Sequence, residues 1–283
     1  MTPRDAATVM LVRNAGDGFE VCMLRRNLNS DFVGGAYVFP GGAVDAADRL
    51  VALREVCTGR SDEDASRQLG LSSGGLAFWV AAIRECFEEA GVLLAIDEAG
   101  VVVSFADSET ADRFVAHRRT VDAGELDLVD LCRQERLLLD VKRIHYFSHW
   151  ITPVGPSRRY DTRFFVAAAP PEQVPLHDDR ETIATIWVSP RDALARHERG
   201  ELELIFPTIR NLEAIARFDT AEDLLAAAAA IESVPAILPR IVNDEHGVRI
   251  VLPGDPGYDD IVDGRLPDGI VAGQPVDGRE VAR

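Results

Sequence analysis

A short acidic segment carries the densest set of chemically useful side chains in this chain of 283 residues. Residues 84–91 read RECFEEAG, and the apolar residues in and before this segment recur at helical spacing. A helix would place Glu85, Glu88 and Glu89 on one face, and Gly91 is suited to end it. The three carboxylates would repel one another at the negative end of the helix dipole. Such a cluster suits Mg²⁺ or Mn²⁺ shared with substrate phosphates, whereas a solvated acidic face is the alternative.

A glycine-rich segment upstream complements the acidic helix. Residues 36–42 read AYVFPGG, and glycine lets the backbone approach a ligand closely. Together the two segments resemble the Nudix hydrolase box, G-x5-E-x7-R-E-U-x-E-E-x-G-U, in which U is apolar. The second half is complete from Arg84 to Val92. In the first half, Asp48 stands where the family has Glu, and 35 residues instead of 7 separate it from Arg84.

Other segments extend this resemblance to a Nudix subgroup with a long insertion in the box, which includes a peroxisomal coenzyme A diphosphatase. Residues 149–153 (HWITP) and 158–166 (RRYDTRFFV) look like two of its motifs, and Trp187 and residues 206–208 (FPT) resemble its closing elements. The resemblance covers roughly residues 5–215. It implies an α/β (α+β) fold, a Nudix-type α/β/α sandwich with a mixed β-sheet, helical insertions and a C-terminal extension.

The resemblance also implies a domain organisation. We expect residues 1–217 to form the Nudix hydrolase domain, with insertions at about 49–76 and 107–140, and residues 218–283 to form a helical and irregular extension. The first insertion is expected to be a lid or wall beside the active site, or else a tolerated surface excursion. The second is expected to serve substrate selection or dimer contact.

Periodicity, caps and turn residues predict the individual elements. The predicted strands include an antiparallel hairpin of 7–12 and 19–24 and further strands at 37–39, 101–105, 144–151, 163–168 and 182–188. The predicted helices cover 63–69, the acidic segment, 108–118, 125–139, 190–199, 208–217 and 220–232. From Pro253 onward the composition suits a tail over the surface or over a partner subunit, with compact turns at 253–258.

By resemblance, the acidic helix supplies the metal site. Glu88 and Glu89, together with the backbone carbonyl of Gly42, are the expected Mg²⁺ or Mn²⁺ ligands, and Glu85 is a ligand or a base. Arg84 is expected to ion-pair with Glu88 and hold it in place.

Further candidate site residues lie outside the helix. Glu181 is the candidate for an additional metal-binding carboxylate, and Asp178 and Asp179 compete with it. Asp48 either reaches the metal through water or is a surface residue. The candidates for phosphate contact are arginines, each of which could instead make a surface ion pair: Arg25, Arg26, Arg158, Arg159 and Arg163.

The composition limits the partners of the chain. A net charge of -17 disfavours nucleic acid and anionic lipid as partners. The resemblance implies a small nucleotide as the partner, which is also anionic, so a metal and local arginines have to overcome the unfavourable field. No apolar run approaches the ~20 residues of a membrane span, and the first residues lack a signal-peptide pattern. The four cysteines form no C-x-x-C pair, as in a reducing cytoplasm, which is the expected location. A homodimer is possible.

These observations lead to one preferred function and two alternatives. The preferred function is a divalent-metal-dependent pyrophosphohydrolase that cleaves the diphosphate of a nucleoside diphosphate linked to another moiety, such as coenzyme A, ADP-ribose or NADH. The alternatives are a nucleoside triphosphate sanitation hydrolase and a non-catalytic Nudix-fold nucleotide sensor.

Overall fold

The computed structural model describes residues 2–16, 18–29, 34–244 and 247–261. The chain divides into two compact units. Among the described residues, the large unit contains those of 6–148 and 163–234, and the small unit contains those of 2–5, 149–162 and 235–261. The predicted boundary between residues 217 and 218 stays a prediction.

The strands in chain order are β1 (Arg4–Ala15), β2 (Gly18–Arg26), β3 (Tyr37–Val38), β4 (Gly41–Ala43), β5 (Ala95–Asp97), β6 (Leu137–Leu139), β7 (Ile144–Ile151), β8 (Tyr160–Ala168), β9 (Thr182–Val188), β10 (Ala236–Ile237), β11 (Arg240–Asp244) and β12 (Gly247–Val251). The helices are α1 (Leu53–Val56), α2 (Asp62–Leu69), α3 (Leu76–Ala90), α4 (Ser108–Asp122), α5 (Leu128–Glu135), α6 (Pro190–Glu198), α7 (Phe206–Ile215) and α8 (Ala221–Ala229).

The large unit is built on a sheet with the strand order β7-β8-β1-β2-β3, in which β4 also pairs with β1 and β9 with β2. The predicted hairpin is confirmed, since β1 and β2 are antiparallel with Val12 opposite Val21. Four consecutive β1 residues, Val9 to Val12, are fully buried, so both faces of the strand are covered. This burial fits a sheet between helical layers, and the predicted α/β class with a mixed sheet is confirmed.

Helix α3 is the predicted acidic helix and is buried on almost every side. Its first eight residues, 76–83, are apolar and all buried. The Trp79 indole donates to the carbonyl of Ile144 at 2.9 Å and packs on Phe165 with 4.7 Å between ring centroids. The helix ends at Gly91, whose φ of 68° is the left-handed conformation that glycine adopts without strain. These contacts fix the helix that carries the acidic residues.

The insertion within the box supplies the start of α3. Helix α2 is confirmed, with Ser61 as its N-cap and Gly70 in the left-handed conformation after it. The Asp62 carboxylate accepts hydrogen bonds from the amides of Gly74 at 3.0 Å and Leu76 at 3.1 Å. The hydroxyl of Ser66 accepts from the Gly75 amide at 2.9 Å. The inserted residues therefore satisfy amides that the first turn of α3 cannot satisfy itself.

Two predicted elements are wrong. Residues 101–105 form only a single antiparallel bridge, between Val102 and Ile96 on the edge of β5 opposite β6, and not a longer strand. The predicted helix 125–139 is shorter, since the Asp127 side chain caps α5 only at Leu128 and Arg136 takes a left-handed conformation that turns the chain into β6. The short strands β4, β5, β10, β11 and β12 are absent from the predicted elements, because their few residues show no clear alternation.

The small unit contains short strands and turns. Ala236 and Ile237 of β10 run parallel to His149 and Trp150 of β7, and β11 and β12 form a hairpin. The compact turns expected at 253–258 are present, with the Tyr258 amide donating to the Asp255 carbonyl at 3.1 Å. The rest of the predicted tail, residues 262–283, lies outside the described residues. Within the described ranges, none of the helices has the length and apolarity needed to cross a membrane.

Candidate active site

The last turns of α3 lie against the glycines of β4. The Gly41 amide donates to the Glu89 carboxylate at 2.9 Å. A side-chain carbon placed on Gly42 would lie 2.4 Å from a Glu85 oxygen, so this position has to lack a side chain for the carboxylate to approach. The two predicted segments are therefore adjacent in space. The role of the Gly42 carbonyl as a metal ligand stays a prediction.

Arg84 connects the acidic residues of the cluster. Its guanidinium donates from Nε and Nη2 to the two carboxylate oxygens of Asp48 at 2.8 and 2.9 Å. Nη1 lies 2.8 Å from a Glu88 oxygen and 2.9 Å from a Glu85 oxygen. Nη2 also donates to the carbonyl of Ala43 at 2.8 Å. These contacts hold Arg84 as an orienting group and direct its donors to the protein.

Asp48 is an internal partner of Arg84. It is 3% exposed and accepts a third hydrogen bond from the Asp45 amide at 2.8 Å. The surface alternative for Asp48 is therefore wrong. The shorter side chain reaches Arg84 because Asp48 lies in a 3₁₀ turn, Ala47–Arg49, which packs against α3.

Burial and mutual repulsion perturb all three glutamates of the helix. Burial raises the pKa of Glu85 to about 8, although the charge of Arg84 lowers it and that of Glu88 raises it. Burial likewise raises the pKa of Glu88 to about 7 against the opposing charge of Arg84. The pKa of Glu89 lies well above its ordinary value because of burial and the nearby Glu85 charge. One arginine thus leaves this cluster short of positive charge.

The donor set fits a hard divalent cation. Carboxylate oxygens are the ligands that Mg²⁺ and Mn²⁺ prefer, and a cation would supply the positive charge that the cluster lacks. Among the residues that the structure describes, no three His, Cys, Asp or Glu side chains already stand as a ligand shell. The reason is visible in the contacts, because Glu85 and Glu88 turn to Arg84 while Glu89 turns to the Gly41 amide. Each carboxylate keeps lone pairs that these partners do not use, so metal binding would require the three side chains to turn toward one another while Arg84 still holds Glu88.

Two residues outside the helix act on Glu89. The charge of Glu181 raises the pKa of Glu89, and that of Arg26 lowers it. Asp178 shapes the loop that carries Glu181 by accepting the Glu181 amide at 3.0 Å. Asp179 is exposed and pairs with His177 at 3.1 Å. Of the three competing acids, Glu181 is the one whose charge acts on the cluster, and its role as a ligand stays a prediction.

The other candidate arginines have varied surroundings. Arg25 donates to the Gly35 carbonyl at 3.3 Å, and Arg163 is 4% exposed with its guanidinium 4.5 Å from the centre of the Phe78 ring. Arg158 and Arg159 belong to the small unit. Their roles as phosphate contacts stay predictions.

Arg118 is a residue of the site region that the sequence did not single out. It lies on α4 and donates from Nε to the backbone carbonyl of Glu88 at 2.8 Å. The carboxylate of Asp122, one turn later, raises the pKa of Glu88. The only signal in the sequence was a basic residue in an amphipathic helix, and many surface helices share that feature.

The sequence and the structure of this chain are similar to those of known proteins. The model of the family described as the NUDT19 Nudix domain matches residues 54–215. The acyl-coenzyme A diphosphatase NUDT19 of Gallus gallus is 30% identical over 302 aligned residues, covering 90% of this chain and 79% of the relative. The Homo sapiens protein of the same name is 28% identical, covering 86% and 73%. A NUDIX hydrolase from Alicyclobacillus acidocaldarius superimposes with a TM-score of 0.63 at 27% identity, covering 83% of this chain and 98% of that one.

Proposed function

The chain belongs to the Nudix hydrolase family described as the NUDT19 Nudix domain, and from this premise we propose that it is an acyl-coenzyme A diphosphatase. As a Nudix hydrolase it acts on phosphoanhydride bonds, and its substrate is a nucleoside diphosphate linked to another moiety. The observation that carries the proposal is the gathering of Glu85, Glu88, Glu89 and Arg84 against the β4 glycines in a chain with these relatives.

The proposed reaction is a hydrolysis at one phosphorus of the diphosphate. The water oxygen forms a new bond to that phosphorus, and the bond from the same phosphorus to the bridging oxygen breaks. The water protons pass to a base and to solvent. An acyl-coenzyme A would give adenosine 3′,5′-bisphosphate and an acylated phosphopantetheine, so both products end in phosphate monoesters.

The residues of the cluster divide the work. Glu88 and Glu89 would hold the divalent ion, with Glu85 as a further ligand or base. The ion would supply charge neutralisation of the diphosphate and activation of water. Burial raises the pKa of Glu85 to about 8 in the metal-free site, and the charge of a bound ion would lower it, so Glu85 would then be ionised as a ligand or base. Arg84 orients Glu88, and Asp48 in turn orients Arg84.

We propose Mg²⁺ or Mn²⁺ as the ion and strict dependence on it. The substrate is an anion, and the chain carries a net charge of -17, so the long-range field opposes association. Local positive charge has to offset this field. Arg26, whose charge acts on Glu89, is the best-placed of the candidate arginines.

A substrate panel tests the proposal. Acyl-coenzyme A, free coenzyme A, ADP-ribose, NADH and nucleoside triphosphates are each incubated with Mg²⁺ and with Mn²⁺, and the products are identified by mass. We expect the highest kcat/KM for an acyl-coenzyme A and no turnover after chelation. Preferential cleavage of triphosphates would support the sanitation alternative, and metal-dependent binding without turnover would support the sensor.

A variant pair ties the activity to the cluster. Glu88→Gln is expected to lower kcat at least 100-fold while the circular dichroism spectrum is unchanged. Glu98→Gln changes an exposed glutamate in the turn after β5 and serves as the matched control. Full activity in Glu88→Gln would contradict the assigned role.

A cytoplasmic location and a homodimer are further proposals. Fractionation of cells that produce the protein, and light scattering of the purified chain, test them separately. Neither result changes the assignment of the cluster.

A further inference from the structure

The C-terminal end of α3 has backbone carbonyls that the helix cannot satisfy itself. The Gly91 amide donates to the Phe87 carbonyl at 3.0 Å, and the Val92 amide donates to the Cys86 carbonyl at 3.3 Å. These two bonds use the amides that would otherwise reach the carbonyl of Glu88. The helix turn that carries two of the proposed metal ligands therefore needs a donor from elsewhere in the chain.

Arg118 supplies that donor. Its Nε lies 2.8 Å from the Glu88 carbonyl oxygen. A side-chain carbon placed on Gly91 would lie 3.1 Å from Nη1 of Arg118, so the guanidinium packs directly on the turn that ends the helix. A cation at this position is also favoured by the negative end of the helix dipole.

The surroundings of Arg118 leave it oriented mainly by the helix. Burial lowers the pKa of its guanidinium, while the charges of Asp178 and Asp122 raise it. Its Nη2 atom is buried and has no hydrogen-bond partner among the residues that the structure describes. The contact with the Glu88 carbonyl is thus the short, well-directed bond of this side chain.

We propose that Arg118, a residue of the second insertion, is a positioning residue that holds the last turn of α3 and thereby sets the affinity of the site for its divalent ion. The inference rests on the proposed function, because it gives Glu88 and Glu89 the role of metal ligands. Arg118 donates a hydrogen bond to the backbone of the turn that carries the ligands. Among the described residues, it donates none to the carboxylates of that turn. Its effect is therefore on how well the ligands are placed.

Two opposing effects make this inference testable. A positive charge near the site repels a metal cation, so loss of the charge alone would tighten binding. Loss of the hydrogen bond loosens the turn that carries the ligands and weakens binding, since partners that orient ligands typically contribute 10- to 100-fold in metal affinity. We expect the second effect to exceed the first, because the metal-bound state needs Glu88 and Glu89 placed together.

The experiment compares two neutral variants of the 283-residue chain. Arg118→Met has similar length and no donor, whereas Arg118→Gln is neutral and retains an N–H donor for the Glu88 carbonyl. Mn²⁺ binding in the absence of substrate is measured by electron paramagnetic resonance titration. We expect the dissociation constant to rise about tenfold in Arg118→Met and to stay within about threefold of the unchanged protein in Arg118→Gln. Arg119→Ala, at the exposed neighbouring position, is the matched control.

Further readouts separate positioning from general destabilisation. Hydrogen exchange of the Gly91 and Val92 amides is expected to accelerate about tenfold in Arg118→Met, while the amides of β1 keep their protection. At saturating metal, kcat and KM for the acyl-coenzyme A are expected to stay within about twofold of the values for the unchanged protein, because an effect on metal affinity is overcome once the site is filled.

Two outcomes of the Mn²⁺ titrations would overturn the inference about Arg118. Unchanged or tighter Mn²⁺ binding in Arg118→Met would overturn it, and so would equal weakening in Arg118→Met and Arg118→Gln. If the unchanged protein binds Mn²⁺ but cleaves no diphosphate, the proposed function fails while the binding comparison still tests Arg118.

Discussion

Removal of the Asp48 carboxylate is expected to destabilise the protein and weaken the site together. The side chains of Asp48 and Arg84 are 1% and 11% exposed, and two hydrogen bonds of 2.8 and 2.9 Å join them. In Asp48→Ala, two donors of Arg84 lose the carboxylate oxygens that accept their hydrogen bonds. The backbone amide of Asp45 also loses its acceptor. Arg84 would keep its contacts with Glu85, Glu88 and the Ala43 carbonyl, and the more distant Asp45 at 3.8 Å.

The magnitude follows from these contacts. Breaking a buried ion pair from one side typically costs about 3–5 kcal/mol in the free energy of unfolding. Because Arg84 retains contacts with Glu85 and Glu88, we expect the lower part of that range, about 3–4 kcal/mol. Arg84 would also bind those two carboxylates more tightly and so compete with a cation for them. We expect the metal concentration for half-maximal activity to rise 10- to 100-fold.

Urea unfolding of the metal-free protein and initial rates across a Mg²⁺ series measure the two effects. Asp45→Ala is the matched control, since Asp45 has a 49% exposed side chain that lies 3.8 Å from the guanidinium of Arg84. A pair of that kind is worth about 0–1 kcal/mol. If Asp48→Ala costs no more stability than Asp45→Ala, the account of Asp48 as the buried partner of Arg84 is incorrect.

Three further substitutions have distinct expected results. Gly42→Ala should lower kcat/KM at least tenfold with little change in the thermal midpoint, because the added carbon would lie 2.4 Å from the Glu85 carboxylate, which can move. In Gly41→Ala, the control, the added carbon would lie 2.6 Å from backbone atoms, so this variant should lose stability. Asp62→Ala should cost about 1–2 kcal/mol in urea unfolding, as for loss of a helix cap, and an unchanged midpoint would contradict its contacts with α3. Burial raises the pKa of Glu135, but hydrogen bonds from a histidine and an arginine of α4 lower it overall below its ordinary 4.5. Because the pKa of Glu135 is depressed in the folded state, its stabilisation is present above pH 4.5 and is lost as the pH falls through the folded-state pKa. The stability difference between the unchanged protein and Glu135→Gln should therefore shrink in thermal melts below pH 4.5. A difference that stays constant with pH would rule out this linkage.

The parts of the site that are local in sequence could be predicted. The spacing of Glu85, Glu88 and Glu89 and the stop at Gly91 are properties of one helix, so the sequence reveals them directly. Helix α2 was equally readable, because its cap and its terminating glycine lie within ten residues. Short-range physics determines these features.

The parts of the site that depend on contacts between residues distant in sequence could not be predicted. The burial of Asp48 depends on how 35 intervening residues fold back toward Arg84, and no local pattern encodes that path. Arg118 reaches α3 from a helix that begins after an irregular segment, so its partner was equally hidden. The end of α5 at Arg136 shows the same limit, because its helical pattern continues while tertiary pairing with β5 draws the next residues into a strand.

The dependence of α3 on acceptors from α2 bears on how this branch of the family can be re-engineered. Shortening the path between Asp48 and Arg84 to the usual seven residues would delete Asp62 and Ser66, which accept hydrogen bonds from the amides of residues 74–76. Any of these amides that the shorter chain kept would lose its acceptor. It would also strip apolar cover such as Ala65 and Leu69 from the core around the helix. A graft of this helix into a compact relative therefore has to carry its own cap and cover, so the insert and the helix form one transferable module.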